Sequence, residues 1–145
     1  EITMKNWNEV KEEFETDGSL RDIYVEGVNS SVWDSFISYL KGSSYKIEFF
    51  HGDEKLKLPE SLSSIKKLQE TDPTTVHIWV KEGIQINCHF FIDSEIELDL
   101  SPYDVQNEHA YLDLIVFLKW VASSLKRPVK LTQEGMQDNI ILNVN

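Results

Sequence analysis

Cysteine, glycine, proline and arginine are all scarce in this sequence. Its 145 residues include one cysteine, Cys88, with six glycines and four prolines. A single cysteine excludes an internal disulfide framework and is typical of a reducing compartment. Few glycines and prolines, together with 41% hydrophobic residues, exclude a disordered or low-complexity chain. We therefore expect one packed domain that covers residues 1–145.

Positive charge is scarce as well. Lys and Arg total 14 against 25 Asp and Glu, which gives a formal net charge of −11. Nucleic acid is excluded as a partner, because binding it requires a basic surface that releases counterions. A protein partner is expected to be basic, since an acidic surface attracts basic proteins. The alternative is that the acidic surface serves only for solubility.

No hydrophobic run is long enough to cross a bilayer. The most apolar run begins at Ala110, is shorter than the roughly 20 residues that a membrane helix needs, and contains Asp113 and Lys119. The first fifteen residues lack the apolar segment of a signal peptide. We therefore expect no membrane contact and a cytoplasmic location. This segment is interpreted as a buried core helix, with a homodimer contact as the alternative.

Hydrophobic periodicity predicts an α+β fold. Helical spacing indicates helices over residues 6–15 and 31–41, a short helix after Pro59, and a long helix from Ser101-Pro102 to about Leu125. Alternating apolar residues indicate strands in the remaining segments, including a hairpin at residues 45–59 and two strands after the long helix. Together these elements predict a mainly antiparallel sheet of six to eight strands with helices on one face.

The stretch IQINCHFFIDSEIELDLSP, residues 84–102, places a cysteine beside a histidine with four carboxylates close behind. Three-residue turns at residues 81–83 and 93–95 would join this stretch to a preceding strand that starts at Thr74, and the three strands would form a meander, because that register keeps one face apolar. Cys88 then lies in the apolar row opposite Leu100. We therefore interpret Cys88 as a core residue and not as a nucleophile or metal ligand.

The other face of this meander carries the candidate site, with His89 expected opposite Asp99 and His77 one diagonal away. The residues predicted to contact a partner are Trp79, His89, Phe91, Glu97 and Asp99. Aromatic side chains anchor interfaces, and carboxylates speed encounter with a basic protein. A cross-strand His-Asp pair on a solvated face needs no metal or other cofactor. The alternative is a small hydrolase or metal-dependent enzyme that uses His77, His89 and Asp99.

In general character the chain resembles the small cytosolic immunity proteins that bacteria make against their own secreted nuclease-type toxins. The resemblance covers size, acidity, the absence of catalytic spacing and the acidic, aromatic face, and DGSLRDIYV and CHFF look like recurring signatures. It implies a non-enzymatic protein whose carboxylates block the cationic substrate cleft of a basic partner. A structural or ligand-binding domain without a charge-based partner remains a third alternative.

Overall fold

A computed structural model describes residues 4–145, which form an antiparallel sheet with helices packed on one side. The helices are α1 (Trp7–Val10), α2 (Ser30–Gly42), α3 (Leu62–Leu68) and α4 (Glu108–Leu125), with 3₁₀ turns at Lys11–Phe14 and Pro102–Asp104. The strands are β1 (Arg21–Glu26), β2 (Lys46–His51), β3 (Glu54–Leu56), β4 (Thr74–Val80), β5 (Ile84–Cys88), β6 (Glu95–Leu100), β7 (Val129–Gln133) and β8 (Ile140–Val144).

The strands follow the order β3-β2-β4-β5-β6-β1-β7-β8, and every neighbouring pair is antiparallel. The predicted α+β class, the long helix and the two strands after it are therefore confirmed. β1 lies in the interior of the sheet, between β6 and β7. This insertion brings the start of the chain beside residues about 75 and 110 positions later.

The core lies between the helices and one face of the sheet. Burial alternates along β4 and β5, where every second side chain is buried and its neighbours are only partly covered. Helix α4 contributes a wide apolar surface to this core, including Phe117 and Val121, although Leu112 and Val116 on its outer side are exposed. Among residues 4–145, none of the helices has the length and apolar character needed to cross a bilayer.

The predicted register between β4 and β5 is confirmed, whereas the register between β5 and β6 is wrong by two residues. Cys88 pairs with Leu98 and not with Leu100, and Asp99 lies opposite Asn87. A shift of two residues leaves every side chain on the same face of a strand. Cys88 therefore still lies in the apolar row, as predicted.

The register differs because β5 leaves the ladder early, at Phe90. This residue has a left-handed backbone (φ +58°), which is uncommon for a non-glycine residue. The turn places its ring in the core beside Trp33, with ring centroids 5.5 Å apart. Lys66 of α3 and Gln69, the C-cap of that helix, hold the turn, since Lys66 Nζ and Gln69 Nε2 each donate to the Phe90 carbonyl at 2.9 Å. Burial of this aromatic ring thus overrides the regular hairpin.

The predicted start of the long helix is also wrong. Ser101 caps only the 3₁₀ turn, and α4 begins six residues later with Asn107 as its N-cap, whose side chain accepts from the Ala110 N–H at 2.8 Å. Between the two, Val105 has a non-helical backbone (φ −127°, ψ 80°) and is fully buried. Packing Val105 into the core interrupts the helix that the proline signal favours. The predicted end near Leu125 is confirmed.

Candidate functional site

The side of the sheet opposite the helices, here called the open face, carries polar side chains from neighbouring strands. Period-two alternation places them there, because each lies between two residues that point into the core. The residues on its central part are His77 and Trp79 of β4, Gln85 and Asn87 of β5, Glu97 and Asp99 of β6, and Asp22 and Tyr24 of β1.

Carboxylates from β6 and β1 gather on this face because the two strands pair directly. Asp99 lies opposite Asp22, Glu95 lies opposite Glu26, and Glu97 lies between them. We call these five residues the carboxylate cluster. Like charges directly opposite one another on a sheet are destabilising. The arrangement therefore has to be held in place by the rest of the fold.

Hydrogen bonds hold the two buried carboxylates of the cluster. Asp22 Oδ2 accepts from the Gly135 N–H at 2.8 Å and from the Tyr24 hydroxyl at 3.1 Å. Asp99 Oδ1 accepts from Asn87 Nδ2 at 2.9 Å. Burial, together with the nearby charge of Asp99, raises the pKa of Asp22 above its ordinary value even though these hydrogen bonds favour the charged form.

The loop between β7 and β8 closes over one end of the cluster. Gln137 Nε2 donates to both Glu26 Oε2 and Glu95 Oε1 at 3.0 Å. Lys130 of β7 also forms an ion pair with Glu26 at 3.1 Å. Both carboxylates at this end of the cluster therefore have partners within the chain.

Glu97 differs from the other four carboxylates. Within residues 4–145 it accepts no hydrogen bond and forms no ion pair, although it is only partly exposed. Partial burial raises its pKa, and the negative charges of Asp22, Glu95 and Asp99 raise it further. His89 acts in the opposite direction, but the net effect is a raised pKa. Glu97 is thus an acceptor group with three like charges and one histidine near it.

His89 connects the carboxylate cluster to its surroundings. Its Nε2 lies 3.4 Å from Asp99 Oδ2, its Nδ1 lies 3.1 Å from Thr75 Oγ1, and its ring stacks on Phe91 with centroids 5.1 Å apart. The hydrogen bond with Asp99 raises the pKa of His89, and the charges of Asp99 and Glu97 act in the same direction against the effect of burial. Phe91 itself is 56% exposed.

An open groove of about 400 Å³ lies on the other side of His89. The loop between α3 and β4 forms one wall, with Asp72 and Pro73, and the segment after β5 forms the other, with His89 and Phe91. We call this feature the groove. Because His89 lines the groove and contacts Asp99, the groove and the carboxylate cluster adjoin one another.

Four of the five predicted contact residues come together: His89, Glu97 and Asp99 lie side by side, and Phe91 stacks on His89. Trp79 lies apart from them, because its indole N–H donates to Glu48 Oε1 at 3.0 Å on the β2 side of the face. A role for these residues in partner contact stays a prediction.

His77 also lies away from the cluster. It pairs with Asn87 across β4 and β5, and its ring packs on Phe50 at 5.2 Å. Sequence reasoning missed Asp22 and Tyr24 as members of the site. The alternation along β1 indicated that they share a face, but nothing in the local pattern indicated that β1 pairs with β6.

Cys88 contributes nothing to the open face, since it is completely buried on the core side. Burial raises the pKa of its thiol to about 12, so the thiolate needed for nucleophilic or metal chemistry is strongly disfavoured. Across the described residues 4–145, His, Cys, Asp and Glu side chains form no group of three suited to holding a metal ion.

The chain is thus an α+β protein whose sheet has one face covered by helices and an open face that carries the carboxylate cluster. Comparison of the chain with protein-family models, with curated proteins and with solved structures gives no match.

Proposed function

We propose that the chain is a non-enzymatic interaction protein whose open face binds a basic protein partner. Following the resemblance in general character to immunity proteins, the partner would be a basic, nuclease-type toxin that the chain neutralises. The observation that supports this most directly is Glu97, a partly buried carboxylate without a partner in the described chain, next to Asp22, Glu95 and Asp99.

The electrostatics of the cluster favour a cationic ligand. Partial burial strengthens the interaction of a carboxylate with an incoming Lys or Arg side chain, because water screens the pair less than at an exposed site. The same cation would also reduce the repulsion between Glu97 and its three acidic neighbours. In the free protein this repulsion destabilises the fold, so binding of a basic group relieves an unfavourable interaction that already exists.

Affinity capture from the native host, with charge-reversed baits, tests this function. We expect a basic protein to be captured by the wild-type chain and by Glu82→Lys, which alters an exposed turn residue between β4 and β5. We expect the same protein to be lost from Glu97→Lys. Mass spectrometry identifies it, and calorimetry with the purified pair measures the affinity. Equal capture by the two variants would contradict binding at the open face.

The hydrolase alternative keeps one specific observation in its favour. Asp99, His89 and Thr75 form a continuous series of carboxylate, imidazole and hydroxyl, with His89 Nε2 3.4 Å from Asp99 Oδ2 and His89 Nδ1 3.1 Å from Thr75 Oγ1. In such a series the hydroxyl would add to an ester carbonyl as its proton passes to the imidazole, and that proton would leave with the alcohol. Water would then release the acid. The two ring nitrogens, however, are used in the opposite order to that in the Ser-His-Asp triad.

Hydrolysis of p-nitrophenyl acetate by wild type, Thr75→Val and His89→Gln tests the alternative. An enzyme of this kind should lose about 100-fold or more of its rate in both variants. His89 would be the general base, which typically contributes that much, and Thr75 would be the nucleophile. Equal rates in all three proteins would exclude the alternative.

A further inference from the structure

We propose that the groove and the carboxylate cluster together bind a single extended segment of the partner, in which an apolar residue lies next to a basic one. The apolar side chain would occupy the groove, and the basic side chain would pair with Glu97. This inference rests on the proposed function and adds to it the kind of sequence that the partner presents.

The exposed ring of Phe91 is fixed in advance at the rim of the groove. Lys66 Nζ donates to the carbonyl of Phe91 at 3.0 Å, and the side chains of Lys66 and Gln69 both donate to the preceding carbonyl at 2.9 Å. Stacking on His89 fixes the ring itself. An exposed aromatic ring that is already ordered loses little conformational entropy on binding, which is a property of residues that anchor interfaces.

The two subsites are close enough for one short segment. His89 leads out of β5 and Glu97 lies on β6, and neighbouring strands are roughly 5 Å apart. His89 Nε2 lies 3.4 Å from Asp99 Oδ2, and Glu97 is two residues from Asp99 on the same face of β6. Side chains within two positions of each other in an extended peptide can therefore reach the groove and Glu97 together.

The charges around the groove favour a basic segment. Asp72 is one of the residues that line the groove, and the carboxylate cluster lies beyond His89. The nearest ammonium group, on Lys66, is already bonded to two carbonyls and lies 4.0 Å from Asp93. Pro73 and Phe91 present mainly carbon atoms to the groove, which suits an apolar side chain better than a second charged one.

Three blocked tetrapeptides serve as probes, and amide chemical shifts of the full chain report where each one binds. The first peptide has leucine next to arginine, the second replaces leucine with glycine, and the third replaces arginine with glutamine. We expect the first to bind at least about tenfold more tightly than either of the others. Burying the leucine side chain contributes roughly that factor or more, and the arginine adds the pairing with Glu97 that glutamine lacks. It should shift the signals of both the groove and β6.

Matched variants assign the two contributions. Phe91→Ala should remove the advantage that leucine gives and leave the arginine-dependent affinity unchanged. Leu112→Ala is the matched control, because Leu112 is 52% exposed and Phe91 is 56% exposed. Leu112 lies on α4, on the opposite side of the sheet from the open face. Glu97→Gln should remove the advantage that arginine gives.

The outcomes separate this inference from the proposed function. If the peptides with arginine bind equally well and shift only β6 and β1, the cluster binds a cation but the groove takes no apolar residue, and the inference is wrong. If none of the three peptides binds, or if Phe91→Ala and Leu112→Ala behave alike, the inference is also wrong. Binding of arginine that survives Glu97→Gln would count against the proposed function as well.

Discussion

At the scale of single residues, a buried arginine connects two segments of the fold through hydrogen bonds. The sequence contains only two arginines, Arg21 and Arg127. The guanidinium of Arg21, almost completely buried, donates to the carbonyls of Glu13, Glu15 and Leu20 at 2.6, 3.0 and 2.9 Å. It therefore ties the segment after α1 to the start of β1. Composition marks Arg21 as rare, but only the contacts show what it holds.

Replacing this guanidinium should be costly. We expect Arg21→Lys to lower the free energy of unfolding by about 2 kcal/mol or more, since an ammonium cannot reproduce the planar set of donors and leaves buried carbonyls unpaired. Urea unfolding monitored by circular dichroism measures this. Arg127→Lys is the matched control, because Arg127 makes one long, exposed hydrogen bond of 3.3 Å. A similar loss in both variants would contradict the role of Arg21.

Glu97 should show the opposite behaviour, in which removing a charge stabilises the free protein. Its pKa is raised in the folded state, so its ionised form destabilises the fold once the pH exceeds the ordinary carboxyl range near 4.3. We expect Glu97→Gln to unfold at a higher temperature than wild type at pH 7. The difference should disappear at pH 3, where Glu97 is protonated in both states.

Thermal unfolding of both proteins at the two pH values measures this difference. Glu82→Gln controls for the general loss of one negative charge. If the unfolding temperature of Glu97→Gln at pH 7 is no higher than that of the control, then the neighbouring carboxylates do not destabilise the fold through Glu97. If Glu97→Gln is more stable than wild type and yet binds the partner less well, Glu97 is a residue that is retained for function at a cost in stability.

At the scale of elements, turns and caps could be predicted where they depend only on nearby residues. They could not be predicted where a side chain in the turn is buried in the core. The β4 to β5 hairpin followed from its alternating residues, and its register is confirmed by the pairing of Val76 with Cys88. The β5 to β6 register was wrong because Phe90 turns into the core. The start of α4 was wrong for a similar reason, since the burial of Val105 separates Ser101 from the helix.

The two candidate caps of α4 can be compared directly. We expect Asn107→Ala to lower the free energy of unfolding by about 1 kcal/mol, because it removes the side-chain acceptor at the N-cap of an 18-residue helix. Ser101→Ala should have a smaller effect, since Ser101 caps only a three-residue turn. Chemical denaturation of both variants measures the difference. A larger effect of Ser101→Ala would mean that the helix begins where the sequence pattern predicted.

At the scale of the whole molecule, a net charge of −11 should govern the rate of association with a basic partner. Salt screens such attraction, with a Debye length of about 8 Å at physiological ionic strength. We expect the association rate with the captured partner to fall about tenfold between 0.05 and 0.5 M salt. Glu97→Lys should bind more slowly at low salt and depend less on salt.

Stopped-flow or surface-based kinetics over this range of salt concentrations measure the dependence. Glu82→Lys changes the net charge by the same amount as Glu97→Lys but at a site outside the carboxylate cluster. If the two variants have the same association rates, the overall charge attracts the partner and the cluster has no special part in the encounter.

Properties that depend on residues near one another in the chain could be predicted from the sequence. Alternation of apolar and polar residues set which face each strand buries, so the α+β class, the burial of Cys88 and the polar side of the meander were all predictable. The order of the strands could not be predicted in this way, because it depends on contacts between distant parts of the chain. Placing β1 between β6 and β7 joins Asp22 to Asp99 and creates the carboxylate cluster. Such pairing depends on how the whole sheet covers one core, and a two-residue period is compatible with several neighbours for each strand.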